Sequence, residues 1–362
     1  MSITIVNTLP DNIWRGFVDA HPSGTIFHTP EMFEVFARAE QHRPMLWAAV
    51  NDKGEPLVLF LPVEITLMDG VFRGLTTRAV SYGGILCSPG GEALEALELL
   101  LQNYVREVRN GILFTEIRNL SDATPLQPTL ARCGFRYAEH LNYLISLNRT
   151  LEEIGDGFSR RLRQTIRQGL KRQKVVVEPA TDRHQVDICY RLVQKTYARA
   201  RVPLPDHSLI EAAFDVLSSK QMMRTCLARV GEEYVGGSIE LLYKDVVYAW
   251  YCGMDRRYAS WASGELIVWD ILAWGVKNGF KTYDFGGGGK PGEEYGVRDF
   301  KAKFRGDQVC FGRNAFVHAP VKLQLSELGY RLYRLFHQVY TPNGSTDRSG
   351  RRRRVVPQIY DS

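Results

Sequence analysis

The chain has 362 residues, more than one ordinary hydrophobic core accommodates, and its 44% apolar and 24% charged residues fit a soluble globular protein of two domains. A formal charge of +6 is mild for a dedicated nucleic-acid binder but suits anionic substrates or an anionic membrane face. Six cysteines with no Cys-x-x-Cys spacing and eight scattered histidines predict buried thiols in a reducing compartment, no disulfides and no metal site. The first residues have no basic, apolar leader pattern. The longest apolar run, LVLFLPVEITLM, is broken by Pro62 and Glu64, short of the ~20 residues that span a bilayer. A cytoplasmic protein is expected, with the inner membrane face as a peripheral contact.

In chain order, SITIVN reads as a strand and TPEMFEVFARA as a helix capped by Thr29 with Pro30 at its first position. MLWAAVND and EPLVLFLPVEITL read as a strand pair about the turn at Asp52–Glu55. GEALEALELLLQNYVREVRN is a long amphipathic helix stopped by Gly111; ILFTEIR is a strand, PLQPTLARCGF a short helix and RYAEHLNYLISL a strand. From Leu151, FSRRLRQTIRQGLKRQK is a helix, VVVEP a strand, and DRHQVDICYRLVQKTYARAR and HSLIEAAFDVLSS are helices. Three strands follow, MMRTCLARV, EYVGGSIELLY and DVVYAWYCGM, then the helix SGELIVWDILAWGVKNG and the strand KTYDFG. QVCFGRNAFVH is a last strand, and a helix closes over Lys322–Gln338. VRNGILFTEI at 108–117 aligns without a gap with VKNGFKTYDF at 276–285, so two related α/β modules are predicted. Their expected limits are 1–150 and 151–340, with 341–362 a disordered basic tail carrying RRRR at 351–354.

The stretch YDFGGGGKPGEEYGVRDFKAKF at 283–304 fails as a P-loop, because Pro291 stands where Lys290 should be followed by Ser or Thr. Gly287, Gly289 and Gly292 spell G-x-G-x-x-G, but the proline and charges after them predict an irregular loop, not a crossover helix. Glycines beside a strand end let a ligand approach the backbone. The helix over 159–174 has a Phe158, Leu162, Ile166 and Leu170 stripe. Opposite it run Arg160, Arg163, Arg167, Lys171 and Lys174 with no acid at i,i+4, which reads as a docking surface for anions.

These pieces together resemble the FemAB-like, GNAT-type acyltransferases: the Fem aminoacyl transferases and the acetyltransferase-like proteins of polysaccharide loci. The resemblance rests on Gly279, on Asp284-Phe285-Gly286, and on Phe300-Lys301 with Phe304. FHTPEMF, SYGGIL and the Arg-rich helix add to it, over about residues 25–318. It departs from the usual pattern at Arg305, which separates Phe304 from Gly306, and in lacking room for the helical-hairpin arm of the larger Fem proteins. The resemblance implies an α/β (α+β) fold of two tandem GNAT-like modules, each a mixed sheet flanked by helices. It implies N-acyl transfer to an amino group of a cell-envelope precursor, peptidoglycan or polysaccharide. The donor is acyl-CoA or aminoacyl-tRNA as co-substrate, with no other cofactor.

No Ser–His–Asp or Cys–His set stands out, which favours direct attack on the acyl donor. Lys301 is the first catalytic candidate, because a fixed ammonium stabilises an oxyanion or a leaving ester oxygen. Asp299 is a candidate proton acceptor. Tyr251 is a third: the odd spacing of Tyr248 and Tyr251 puts them on opposite faces of their strand, so only one can face a site, and Tyr251 is the one chosen. Arg298 is a candidate fork for carboxylate or phosphate, beside Asp284, Gly286, Gly287 and Phe300 at the substrate. Arg160, Arg163 and Arg167 would dock an anionic precursor or tRNA. Arg256, Arg257, Ser263 and Gly264, at a helix start, would cradle a donor pyrophosphate. Two rivals stand beside this reading: a non-catalytic GNAT-like module for an anionic ligand, and an RNA binder.

Overall fold

The computed structural model describes residues 2–329 apart from 69, 110, 201, 294 and 327. The basic tail, the closing helix beyond 329 and Asn110 of the first Asn-Gly junction lie outside the described residues.

The first half forms β1 (Thr4–Val6), α1 (Asp11–Ala20), α2 (Pro30–Arg38), β2 (His42–Pro44), β3 (Trp47–Val50), β4 (Pro56–Phe60), β5 (Pro62–Thr66) and α3 (Arg73–Thr76). It continues with β6 (Thr77–Gly83), β7 (Leu86–Cys87), α4 (Gly91–Val108), β8 (Phe114–Asn119), α5 (Gln127–Arg132), β9 (Arg136–Ala138) and β10 (Leu141–Ser146). The second half forms α6 (Leu151–Gly157), α7 (Arg160–Arg172), β11 (Val175–Pro179), α8 (Arg183–Ala200), α9 (His207–Leu217), β12 (Met223–Val230), β13 (Glu233–Tyr243) and β14 (Val246–Met254). Then come α10 (Ser263–Lys277), β15 (Thr282–Gly287), α11 (Gly296–Ala302), β16 (Asp307–Cys310) and β17 (Arg313–Val317).

The expected caps and periods hold where the sequence signals were local. The Thr29 hydroxyl accepts from the Met32 amide at 3.2 Å with Pro30 in the first turn of α2. On α4, Ala93, Ala96, Leu97, Leu100, Leu101 and Tyr104 are buried at the i, i+3, i+4 spacing of one helical face. The apolar run 56–66 bends at Leu61, so β4 and β5 join different sheets.

The three sheets are ordered β1-β3-β4-β7, β2-β5-β6-β8-β17-β9 and β11-β12-β13-β14-β15-β10-β16. Residue 150 therefore does not separate the sheets. β10, from the first half, pairs with β15 and β16, while β17, from the second, pairs with β8 and β9. Each of the two stretches expected to be one strand, RYAEHLNYLISL and QVCFGRNAFVH, is two strands that change sheet. The changes meet where the Gly312 amide donates to the His140 carbonyl at 3.4 Å. Gly312 has φ +70, and a Cβ there would overlap the Tyr137 ring, so only glycine makes this crossing. Asn119 seals it, its amide donating to the Phe311 and Gly312 carbonyls, both at 3.2 Å.

α4 covers the first module's core, and α10 with α7 covers the second's. Between the modules lies a shared core in which Met32, Val35 and Phe36 of α2 pack with Leu209, Ile210 and Ala213 of α9. Burial of such side chains is worth about 1.5–3 kcal/mol each, so the two modules are held as one folding unit.

Candidate active site

The site begins with a parting of strands. β14 and β15 run parallel through Val246↔Thr282, Val247↔Tyr283 and Tyr248↔Asp284, and their pairing stops there although both strands continue. Opposite, β13 pairs Glu240 with Ala249 and Ile239 with Tyr251, so Trp250 is an extra, bulged residue. Beyond that point the main chains of β14 and β15 no longer pair, which leaves a gap in the sheet whose backbone groups need other partners.

Lys301 fills the base of this gap. It is a buried residue of α11, and its Nζ donates to the Gly287 carbonyl at 2.8 Å and lies 5.4 Å from the Phe285 ring centre. Burial pushes its pKa down to about 8, opposed by Cys252 and Asp284. The Asp284 carboxylate is held by the Gly286 amide at 2.8 Å and the Asn142 amide at 2.9 Å. Burial nevertheless raises it to about 6. Asn142 belongs to β10, so the crossing of the modules supplies one wall of the site. Gly286 has φ +75, and a Cβ there would lie 3.4 Å from the Ala249 carbonyl and 3.5 Å from Lys301 Nζ. The Asp-Phe-Gly turn is a place where glycine is required.

The Phe-Lys-x-x-Phe spacing has a packing reason. Phe300 on α11 and Phe304 just after it, 5.4 Å apart, pack edge-on against Phe285 at 6.2 and 5.3 Å, and Phe304 edge-on against Phe158 at 5.3 Å. They drive α11 onto the core and carry Lys301 in with it. Phe300 is thus part of the wall, 3.6 Å from where a Gly264 Cβ would stand. The stretch expected to be irregular from 296 onward is this helix; its seven residues form because the aromatic pair has a core to dock on.

Several expected roles are corrected. Asp299 lies two residues before Lys301, about 200° round the helix, and is exposed, so it points away from the gap. Arg298 is not an open fork: it donates to the Gly288 carbonyl at 2.7 Å and to that of Lys290, clamping the glycine loop over the site. Tyr248 and Tyr251 do not face opposite ways, because the Trp250 bulge shifts the alternation by one. Both sit at the module junction, in the electrostatic reach of Tyr82 and Arg118. There Phe27 lies 5.2 Å from Tyr248 and 5.5 Å from Tyr82. Tyr251 meets Tyr197 of α8 at 5.9 Å. On the junction wall, Glu116 is ion-paired with Arg118 at 2.6 Å and with Arg313 at 3.3 Å, and Arg78 lies close by. This cluster is not visible in the sequence, because its members lie up to more than two hundred residues apart.

The turn at 256–264 is no open phosphate cradle. Arg256 is exposed, Arg257 is tied to Asp255 at 2.9 Å, and Ala262 at φ +59, not Ser263, caps α10. Ser263 and Gly264 are buried, and a Cβ on Gly264 would overlap the Met254 thioether. On α7, Leu162 and Ile166 are buried as expected, but Leu170 is exposed and Gly169 packs on Leu266 instead. Arg160 and Arg167 are exposed; Arg163 pairs with Asp156 at 3.3 Å, seven residues away. Lys174 lies over the Trp261 ring at 5.1 Å, which brings the basic helix beside the 256–264 turn.

Not all thiols are buried: Cys189 and Cys226 are, whereas Cys252 and Cys310 are exposed, and the described cysteines are free. Cys252 is exposed, with burial of its surroundings raising its pKa and Lys301 lowering it. Away from the gap, Asp187, His207 and Glu211 come together at the surface, with His207 bonded to Asp187 at 2.9 Å and Glu211 to Arg183 at 3.3 Å.

Residues 157–301 match the family described as Acetyltransferase (GNAT) domain. That span contains the parted strands and Lys301. The fold of the described residues is that of tandem GNAT proteins. A FemX crystal structure aligns over 90% of this chain and 99% of its own, with a TM-score of 0.68 and 16% identity. A tandem GNAT protein from the clavulanic acid biosynthesis pathway aligns over 88% and 99%, with a TM-score of 0.57 and 11% identity. The C-terminal domain of a putative lysylphosphatidylglycerol synthetase from Agrobacterium fabrum aligns over 89% and 95%, at 0.56 and 14%. Among curated proteins none matches the chain in sequence. The chain thus carries a match to a GNAT acetyltransferase domain over residues 157–301, within a fold of two tandem GNAT-like modules.

Proposed function

We propose that the enzyme forms an amide by direct attack of an acceptor amine on an aminoacyl ester, in the gap between β14 and β15, with Lys301 as the central group. The observation that carries this is a buried lysine at the point where two parallel strands part, beside a buried carboxylate. Attack of the neutral amine on the carbonyl creates an oxyanion and an ammonium. Collapse breaks the ester bond and needs a proton on the leaving oxygen. Lys301 stabilises the oxyanion, gives its proton to the leaving oxygen, and regains one from the new ammonium. A pKa near 8 suits both halves of that exchange. Asp284 keeps Lys301 charged against the cost of burial.

For the donor, aminoacyl-tRNA is favoured over acyl-CoA. The Met254 thioether, from β14, packs against Gly264 in the first turn of α10, where a pyrophosphate would be held, and the exposed cations of α7 offer a surface for a polyanion. The acceptor is an anionic cell-envelope precursor, approaching through the junction of Tyr82, Tyr248, Tyr251 and Arg118. The putative lysylphosphatidylglycerol synthetase that shares the fold has, by its name, an aminoacylated lipid as its product. A thermal-shift titration with CoA, acetyl-CoA and charged tRNA tests the donor. A ligand at 100 times its Kd stabilises the native state by about 2.7 kcal/mol. A saturable shift with acetyl-CoA and none with charged tRNA overturns the tRNA reading in favour of acyl-CoA.

A further inference from the structure

At the end of β6 remote from Tyr82, the loop between β5 and β6 holds Leu67, Met68, Val71 and Phe72 out in solvent, Val71 at 90% exposure. Four large apolar side chains in six residues is not how a free surface loop is composed. Beside the loop runs the helical segment that begins at 320, whose Val321 (70% exposed) and Leu325 face outward while Leu323 is buried against Leu113 and Phe114. The two are neighbours: Leu113 donates to the Thr77 carbonyl at 2.9 Å, and Lys322 Nζ lies 4.0 Å from where a Gly74 Cβ would stand.

Cations ring this apolar surface. Arg43 and Arg73 are exposed and share the buried Glu64, and Lys322 and Arg109 are exposed. The residues that follow the segment, 330–362, carry seven arginines against two aspartates, a net +5 of the chain's +6. We propose that this face, the 67–72 loop with the 320–329 segment and the exposed cations beside them, docks the enzyme on an anionic lipid bilayer, helped by the net positive charge of the sequence after 329. An apolar wedge and a basic cluster are each weak anchors, and together they hold a protein on a membrane reversibly. No described helix is long and apolar enough to cross a membrane, so the contact is peripheral. Thr77 and Tyr82 lie at opposite ends of β6, about 16 Å apart at ~3.3 Å per residue. The docking face is therefore separate from the acyl-transfer gap.

The experiment is sedimentation of the full chain with phosphatidylcholine vesicles, with and without phosphatidylglycerol. Binding is expected only to the anionic vesicles, weakened by salt. Val71→Glu with Phe72→Glu is expected to weaken it about tenfold or more, and alanine at Arg351 to Arg354 to weaken it as well. The loop variant is expected to keep its melting temperature and its turnover on a soluble acceptor. Lys301→Met, which removes the proposed chemistry, is expected to bind vesicles normally, so failure of the catalytic reading and failure of this one are distinguishable. No sedimentation with anionic vesicles overturns the proposal, as does equal binding by wild type and loop variant. A dimer in light scattering that the loop variant dissolves also overturns it, assigning the face to a second copy of the chain.

Discussion

The two modules carry matching strands with opposite outcomes. In the first, β6 and β8 stay paired through five positions, from Ala79↔Thr115 to Gly83↔Asn119; in the second, β14 and β15 part after Tyr248↔Asp284. Glu116 and Asp284 occupy equivalent places in the aligned stretches 108–117 and 276–285. Glu116 lies between Arg118 and Arg313, which hold it below the usual carboxylate range despite burial. Asp284 has amide donors and a nearby lysine, and burial wins, raising it to about 6. One acid closes a wall; the other stays able to exchange a proton near neutral pH. The proposed chemistry falls where the sheet is open and the acid is not ion-paired to arginine.

The sharpest way to break this contrast is to change both modules at matched places. Lys301→Met should lower kcat about 10²–10³-fold, the usual cost of one oxyanion-stabilising donor, without unfolding the protein. Glu116→Gln should do the reverse. It strands Arg118 and Arg313 and should cost about 3–5 kcal/mol of stability in a denaturant titration, while turnover per folded molecule persists. If Glu116→Gln instead abolishes turnover in folded protein, the first module shares the chemistry.

Next in size is Gly253→Ala. A Cβ at Gly253 would overlap the backbone of Leu192 and Val193, so α8 must lift from β14. A loss of at least about 1–3 kcal/mol is expected in thermal or chemical melting.

The pH profile sharpens the contrast further. Asp284 is ionised above about 6 and Lys301 protonated below about 8, so kcat/KM should be bell-shaped with limbs near those values. Asp284→Asn removes a charge that raises Lys301, so the basic limb should move to lower pH. A basic limb that stays put would mean that Lys301 does not set it.

A smaller effect is expected at Glu240, fully buried beside Arg224 and bonded to Ser238, with its pKa raised to about 7. A carboxyl raised on folding loses stability as pH climbs from its ordinary value through the raised one. Glu240→Gln should therefore raise the melting temperature relative to wild type at pH 8 and not at pH 4. The smallest effect is expected at Asp299, whose exposed carboxylate should be replaceable by Asn within about 0.5 kcal/mol and with unchanged turnover.

What the chain's own pattern determined is local and periodic. The apolar stripe of α4, Leu162 and Ile166 on α7, the Thr29 cap, most of the longer helices and strands and the Phe-Lys-x-x-Phe box were legible, because neighbours in sequence carry each signal. α1, α6, β6 and α11 were not, being short segments without a long period of their own. The exchange of β10 and β17 was invisible for a further reason: RYAEHLNYLISL and QVCFGRNAFVH are apolar enough for one strand each, and only packing decides that the chain bends at His140 and Gly312. Lys301 was found by its motif, but its burial, its Gly287 partner and Asn142 from the other half were decided by tertiary structure. The same holds for Asp299, turned outward by helical geometry, for Arg298, claimed by loop carbonyls, and for Tyr248 and Tyr251, brought to one face by a single bulged residue. Sequence spacing sets which groups are available; the pKa values and directions that make them chemical depend on what lies within a few ångströms, which the fold alone supplies.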